Sequence, residues 1–305
     1  MTNAVELWEK PIASEIYMIA GWRQWADAGS ISSGLPSYLI QHLDARKIGQ
    51  IKPDPFYLFQ IPGTQALLRP EIKLAEGYRK ELRPRSNNFY YTGDSHKGLV
   101  IFVGEEPHMN VDGYAEAFFS AAKALGVRRI CGLGGVYGTL PYDKDRSVSC
   151  TYSLLRLKPE LDKYAVHYSD YQGGVSIGSY LLDKAEKEEM EYFCFYGFVP
   201  AYDFGHFSPQ FQGIRIENDF RAWHEIMRRL NFMFELGMDL SDLDQKSEDL
   251  VAAMEKELAQ LEHKMPQLKV REYLRKVDEA FKERPFMPLD DLWAEELGDL
   301  FKDLE

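Results

Sequence analysis

The segment from Gly98 to Tyr142 constrains the fold most strongly, because it has the pattern of a strand, a helix and a second strand in succession. It begins with the apolar run Leu99–Val103, which is too short for a typical helix and too continuous for a half-exposed strand. Between Asn110 and Gly126, apolar residues recur at three- and four-residue steps, the spacing of an amphipathic helix. A second apolar strand follows at 128–133. This order predicts that the two strands pair in parallel through a right-handed crossover.

Polar residues stand where these predicted strands end, which is where parallel sheets usually bind their ligands. Glu106 and His108 follow the first strand, and Asp27 lies on a loop after an earlier strand at 15–20. The three side chains could supply a general base, a general acid and an orienting carboxylate. The alternative is structural, because the same groups could cap the helix near Asn110 or pair with arginines.

Gly134 and Gly135 follow the second strand, and their backbone amides could approach a phosphate. Their spacing is not the Gly-x-Gly-x-x-Gly of dinucleotide sites, and the Lys-Ser/Thr ending of a P-loop is missing. A tight turn is therefore the alternative to a ligand-binding loop.

The rest of the chain repeats the strand–helix–strand pattern and then changes character near Gly237. A helical pattern before residue 190 leads into another apolar strand at 192–199, and short runs between 47 and 82 suggest a small antiparallel patch. We predict an α/β sandwich domain over 1–238, with a mostly parallel central sheet, and a helical extension over 239–305.

The extension carries Leu250, Met254, Leu258 and Leu261 along one helical stripe. Each of these side chains would contribute about 2 kcal/mol when fully buried. We expect the stripe to be buried against the α/β domain or a neighbouring subunit. A chain ending before Ser241 would then keep a folded α/β core and lose oligomer or partner contacts.

Composition and charge exclude several classes of function. The 305 residues carry a net charge of −12 without a basic patch, which disfavours nucleic-acid and membrane-surface binding. The first residues lack the pattern of a signal peptide, and the three cysteines are widely spaced, so we expect a cytoplasmic protein with reduced thiols. Since no His-Glu-x-x-His or Cys-x-x-Cys spacing occurs, we predict neither a metal nor a cofactor.

Two aromatic, turn-rich stretches are candidates for contacts between subunits, because aromatic residues are enriched at interfaces. One contains Trp22 and Trp25, and the other contains Tyr202 and Phe207. The alternative is that these rings pack in the core or in a lid.

Several short motifs, taken in order, resemble the family named after the second proteasome assembly chaperone. They are Gly21-Trp22, Asp27-Ala28-Gly29, Phe56-Tyr57, Arg69-Pro70, Gly104 to His108, Leu125-Gly126-Val127, Leu133-Gly134-Gly135, Pro141, Pro200 and Tyr202. The resemblance implies a three-layer α/β sandwich similar to nucleoside phosphorylases and related hydrolases, a helical extension, and common self-association. It implies no established catalytic residue. The sequence departs from the family pattern at Arg23-Gln24-Trp25, which lengthens the first loop, and at Tyr142-Asp143.

Two classes of function follow. The first is a non-catalytic, assembly-chaperone-like protein that forms a homo-oligomer, for which the resemblance favours a trimer, and binds a client protein. The second is an enzyme of nucleosidase, phosphorylase or small-molecule hydrolase type with a pocket near Glu106, His108 and Gly134. Family members can engage a proteasome through a C-terminal hydrophobic-Tyr-x ending, whereas this sequence ends Asp303-Leu304-Glu305. Docking of the tail on a proteasome is therefore not expected.

Overall fold

The computed structural model describes residues 4–60, 69–204, 213–282 and 286. Its strands are β1 (Val5–Leu7), β2 (Glu15–Arg23), β3 (Arg46–Ile51), β4 (Glu71–Ala75), β5 (Tyr78–Arg83), β6 (Asn87–Gly93), β7 (Lys97–Glu105), β8 (Arg129–Gly138), β9 (Val148–Tyr152), β10 (His167–Tyr168), β11 (Glu191–Tyr202) and β12 (Ile214–Arg215). Its helices are α1 (Gly34–His42), α2 (Val111–Ala124), α3 (Lys158–Leu161), α4 (Ile177–Lys187), α5 (Phe220–Met233), α6 (Ser241–Lys264) and α7 (Val270–Ala280).

The main sheet has the strand order β1-β3-β6-β7-β2-β8-β11-β9-β10, with β12 paired to β11. Strands β7, β2, β8 and β11 run parallel at its centre, and antiparallel pairs flank them on both sides. The predicted, mostly parallel central sheet is confirmed. The predicted direct pairing of β7 with β8 is wrong, because β2 lies between them and pairs with both.

Helices cover both faces of the sheet, which gives the three layers. On one face, α1 and α5 pack over Ile19, Ile101 and Phe195. On the other, α2 and α4 pack over Met18, Val100 and Cys194. Neighbouring residues of β2, β7 and β11 therefore serve opposite cores, as strand geometry requires. This explains why these strands are continuously apolar in the sequence.

Two segments differ locally from their predicted form. The strand predicted to end at Leu133 continues to Gly138, so Gly134 and Gly135 belong to β8 and not to a loop. The runs that predict an antiparallel patch do not form one together: the run at 48–51 belongs to β3 of the main sheet, and the antiparallel hairpin β4–β5 lies further along the chain, at 71–83. The run at 56–60 forms no strand, and the run at 65–68 lies outside the described residues.

Helix α6 packs against α5 of the same chain. Met254, Leu258 and Leu261 are buried in the core cluster that contains α5, and Leu250 is half-buried against it. The stripe therefore packs on the α/β domain of its own chain, which is the first of the two places predicted for it. The last helix predicted by the sequence, near residues 289–300, lies outside the described residues.

An ion pair that the sequence pattern did not indicate is buried completely beneath the loop at 139–147. Arg146 and Asp219 both have a side-chain exposure of 0%, and Arg146 Nε lies 2.8 Å from Asp219 Oδ2. Arg146 also donates to the carbonyl oxygens of Pro141 and Lys144, and Asp219 Oδ1 accepts from the Ala222 amide at the start of α5. The pair therefore joins this loop to α5 in the interior.

Cys131, Cys150 and Cys194 are free thiols and are all buried. Burial raises the pKa of Cys131 and Cys150 well above the ordinary value and raises that of Cys194 to about 11. Thiolates, the reactive form, are therefore disfavoured at all three positions. None of the helices that the structure describes is long and apolar enough to cross a membrane.

Candidate functional site

Glu106, at the end of β7, uses its carboxylate to hold two other segments. Oε1 accepts a hydrogen bond from the Ile177 amide at 2.7 Å, and Oε2 accepts one from the Trp25 amide at 3.2 Å. Ile177 is the first residue of α4, so the carboxylate stands at the positive end of a helix dipole. Glu106 therefore caps a helix, as the structural alternative proposes, but the helix is α4 and not α2.

His108 holds the loop at 53–58 against the end of β7. Its Nδ1 accepts a hydrogen bond from the Leu58 amide at 3.1 Å, and its own amide donates to the Phe56 carbonyl at 2.9 Å. An Nδ1 that accepts carries no proton, so the neutral ring has its proton on Nε2. Burial, with Arg85 adding to it, lowers the pKa of His108 below its ordinary value, which keeps the ring neutral at pH 7.

Asp27 serves a third structural role on the other side of the sheet end. Its Oδ1 accepts from the amides of Ser32 and Ser33, at 2.8 and 3.0 Å, just before α1. Burial raises the pKa of Asp27, and these hydrogen bonds oppose the rise because they favour the charged form. Asp27 shares no hydrogen bond with Glu106 or His108 among the described residues. The structure therefore gives the three predicted groups three separate sets of partners.

Gly134 and Gly135 are glycines because neighbouring parts of the chain fill the space of a side chain. A Cβ atom on Gly135 would lie 2.0 Å from the Ala28 carbonyl oxygen, and one on Gly134 would lie 2.3 Å from the Tyr196 ring. The Gly135 amide donates to the Ala26 carbonyl at 2.9 Å. This amide is therefore not available to a phosphate. Gly135 brings β8 close to the loop after β2, and Gly134 leaves room for the Tyr196 ring of β11.

A buried polar network that the motif search missed lies beside this loop. Asn87 Oδ1 lies within hydrogen-bond distance of Tyr57 Oη at 2.8 Å, Tyr114 Oη at 2.9 Å and the Glu105 amide at 3.1 Å. Trp22 Nε1 donates to Tyr114 Oη at 3.0 Å. The network joins β6, β7, α2 and the loop at 53–58. No sequence signal marks this network, because its members lie at positions 22, 57, 87, 105 and 114 and are therefore far apart along the chain.

The aromatic candidates separate into buried and exposed residues. Trp22 and Tyr202 have exposures of 0% and 1%, so their predicted contacts with a second subunit are wrong and both belong to the core. Phe207 lies outside the described residues. Trp25, by contrast, is 70% exposed, although its backbone is fixed by Glu106.

Trp25 lies beside a segment, 171–175, that carries further exposed apolar side chains. Its ring lies over Gly174, where a Cβ atom would be 3.4 Å from it, and Tyr171 and Val175 flank Gly174 with exposures of 66% and 59%. We call Trp25, Tyr171 and Val175 the Trp25 surface. Gln24 fixes the loop from the other side, because its Nε2 donates to the Leu133 carbonyl at 3.0 Å. The hydrogen bonds of Gln24 and of the Trp25 amide therefore fix the backbone beneath this surface to the end of the sheet.

Metal binding has no support in the described part of the chain. No group of three or more His, Cys, Asp or Glu side chains there is placed to hold an ion.

Replacing Glu106 with alanine is expected to lower the free energy of unfolding by about 1–3 kcal/mol, because two amides lose their acceptor and α4 loses its capping charge. Denaturant unfolding would measure this. Glu116→Ala is the matched control, since Glu116 is an exposed residue of α2 and should change stability by less than about 0.5 kcal/mol. A Glu106→Ala protein as stable as the wild type would contradict the capping role and favour the catalytic alternative.

Taken together, the fold and the site define a three-layer α/β sandwich protein with C-terminal helices, in which the polar residues at the strand ends organise loops. The chain belongs to the PAC2 family, whose sequence profile matches residues 22–258. This confirms the resemblance found in the motifs, and the match continues past β12 into α6. A comparison of the sequence with curated proteins finds no match.

Solved structures share the fold at low sequence identity. A PAC2 family protein of Streptomyces avermitilis is 21% identical, with a TM-score of 0.68 over 85% of this chain and 99% of that one. A proteasome-assembly chaperone homologue of Mycobacterium tuberculosis is 18% identical, with a TM-score of 0.67 over 79% and 94%. An archaeal proteasome activator of Pyrococcus furiosus is 18% identical, with a TM-score of 0.57 over 83% and 97%.

Proposed function

We propose that this PAC2 family chain is a non-catalytic, assembly-chaperone-like protein that binds other protein chains through the Trp25 surface. The proposal depends on a difference between neighbouring residues at the end of the sheet. Glu106 and His108 accept hydrogen bonds from backbone amides, whereas Trp25, on a loop whose backbone is fixed, is 70% exposed. Large aromatic residues held rigidly on a surface are typical anchors of protein interfaces.

We propose two kinds of partner for this surface. The first is the chain itself in a closed homo-oligomer, with a trimer favoured, since closed cyclic assemblies are the common solution for identical subunits. The second is a client protein, for which a proteasome component is the first candidate, because two of the similar structures are described as a proteasome-assembly chaperone homologue and a proteasome activator. The free, buried thiols suit a reducing compartment, so we place this activity in the cytoplasm.

Sedimentation velocity over a range of micromolar concentrations tests the proposal. We expect the wild type to self-associate and Trp25→Ala to weaken association at least about 30-fold, which corresponds to the loss of about 2 kcal/mol that defines a hot spot. Because the ring is exposed, the melting temperature should hardly change. Leu155→Ala is the control, since Leu155 is 85% exposed on a different segment.

Two results would count against the proposal. One is a wild type that stays monomeric at every concentration, and the other is a Trp25→Ala protein that associates as strongly as the wild type. Turnover of a nucleoside or ester that is lost in both Glu106→Gln and His108→Ala would instead establish the enzyme alternative.

A further inference from the structure

Phe286 follows α7 in the chain and packs its ring against α5, where it is only 2% exposed. The centroid of the ring lies 5.9 Å from that of Tyr164 and 6.3 Å from that of Phe232. Two arginines of α5 complete the surroundings, with Arg229 Cζ 4.9 Å and Arg228 Cζ 5.9 Å from the ring centroid. We call these four residues the Phe286 pocket. The pocket suits an aromatic ring, because guanidinium groups are attracted to the face of such a ring.

The contact also involves the backbone of Phe286 and a buried ion pair. Arg228 Nη2 donates a hydrogen bond to the Phe286 carbonyl oxygen at 2.8 Å. Arg229, next to the ring, pairs with Glu225 at 2.7 Å, and the two side chains have exposures of 1% and 2%. Charges held away from water carry a desolvation cost. Water that enters when the ring leaves would hydrate this pair, so release of Phe286 costs less than its burial alone suggests.

Helix α7 has few buried contacts of its own. It has 11 residues, of which Val270 and Val277 are buried, and an isolated helix of this length is marginal in water. The ring of Tyr273 adds contacts with Tyr202 and Phe204, at centroid distances of 5.9 and 5.2 Å. The docking of α7 therefore depends on how the chain is attached at its two ends.

Phe286 can restrain the end of α7, because only a short piece of chain separates them. It is four residues after Lys282, the last residue described beyond α7, and four residues span at most about 14 Å. While the ring is in its pocket, the end of α7 cannot lie farther from α5 than this length allows. Without that restraint, only the first end of α7 stays attached to a neighbouring helix.

We propose that Phe286 acts as a strap that controls the docking of α7. With the ring in the Phe286 pocket, α7 is held over Tyr202 and Phe204, which is the closed state seen in the structure. When the ring is released, α7 separates from the fold while the α/β domain and α6 stay folded. The strap is independent of the self-association proposed for the Trp25 surface, and it exposes an apolar surface without unfolding the core.

Hydrogen exchange of the full chain under native conditions, measured by mass spectrometry, tests the strap. In the wild type we expect the amides of α7 to exchange at least about tenfold faster than those of β2, because α7 opens without global unfolding. Phe286→Ala should accelerate exchange in α7 by at least a further factor of about ten, since opening no longer removes a buried ring from its pocket.

Arg228→Met is a milder variant, because it removes the donor to the Phe286 carbonyl oxygen and keeps the ring. We expect it to accelerate exchange in α7 by about three- to tenfold. Arg128→Met is the matched control, since Arg128 also pairs with a carboxylate, that of Glu15, and is not part of the Phe286 pocket. It should leave exchange in α7 unchanged.

Either of two results would overturn the strap. Amides of α7 that exchange as slowly as those of β2 in the wild type would show that α7 opens only when the whole chain unfolds. Exchange in α7 that is the same in Phe286→Ala as in the wild type would show that α7 docks without help from the ring. Should Phe286→Ala fail to fold, Arg228→Met decides this second point, because Arg228 is 28% exposed and its replacement leaves the buried ring in place.

Discussion

Replacing Arg146 with methionine is expected to lower the free energy of unfolding by about 3–5 kcal/mol, because the change leaves the Asp219 carboxylate as an uncompensated buried charge. Both side chains are completely buried and lie 2.8 Å apart. The substitution also removes the donors to Pro141 and Lys144, so the loop at 139–147 loses its buried connection to Asp219 and keeps only the contacts of Arg221 with Lys144 and Asp145 among those that join it to α5 by side-chain hydrogen bonds in the described residues. At about 2 °C per kcal/mol for a protein of this size, the melting temperature should fall by at least about 6 °C.

Calorimetry or denaturant unfolding would measure this loss, with Arg128→Met as the matched control. Arg128 also forms an arginine–carboxylate pair, with Glu15, but its side chain is 60% exposed, so its removal should cost no more than about 1 kcal/mol. The double variant Arg146→Met, Asp219→Leu should recover part of the loss, since it removes both charges together. Equal losses in the free energy of unfolding for Arg146→Met and Arg128→Met would contradict the claim that burial makes the Arg146–Asp219 pair the more costly one to break.

Ending the chain at Leu240 is expected to leave a protein that does not fold to a soluble form. The sequence pattern alone predicts that the α/β core survives this truncation, but the structure places Leu243, Met254, Leu258 and Leu261 in the same core cluster as α5. At about 2 kcal/mol for each buried side chain, the loss approaches the total of 5–15 kcal/mol that typically stabilises a folded protein. It also exposes the apolar side of α5 to water.

Soluble yield and the near-ultraviolet circular dichroism of any soluble fraction would test the truncation. A graded variant keeps the test informative: Leu258→Ala should cost about 2–5 kcal/mol through the cavity that it leaves. Gln260→Ala, at an exposed position of the same helix, should be nearly neutral. A truncated protein with a cooperative transition near that of the wild type would show that α6 is dispensable and would restore the sequence-based expectation.

The sequence alone predicted the features that depend on local periodicity. The apolar runs of β2, β7, β8 and β11 mark strands covered on both faces, and the spacing of apolar residues marks α2 and α6. The order of short motifs indicated the family, which the profile match confirms. These predictions succeed because neighbouring residues of one element share one environment, so burial leaves a repeating pattern in the chain.

Contacts between distant segments were decided only by the tertiary structure. Glu106 stands 71 residues before its partner Ile177, and Arg146 stands 73 residues before Asp219. Since the same residue types also occur in exposed pairs, no local pattern separates these buried contacts from surface ones. The insertion of β2 between β7 and β8 is likewise a matter of sheet order, which apolar runs do not encode.

Trp22 and Trp25 show most simply the difference between what the sequence predicts and what the tertiary structure decides. They have the same side chain three residues apart, and the sequence treats them as one aromatic stretch. Trp22 is inside β2, where its ring packs against Phe102 and Phe118, whereas Trp25 lies beyond the end of the strand at Arg23 and is 70% exposed. The helices that pack on the sheet cover the first ring and stop short of the second. Only the tertiary fold therefore decided which tryptophan stabilises the core and which is available to a partner.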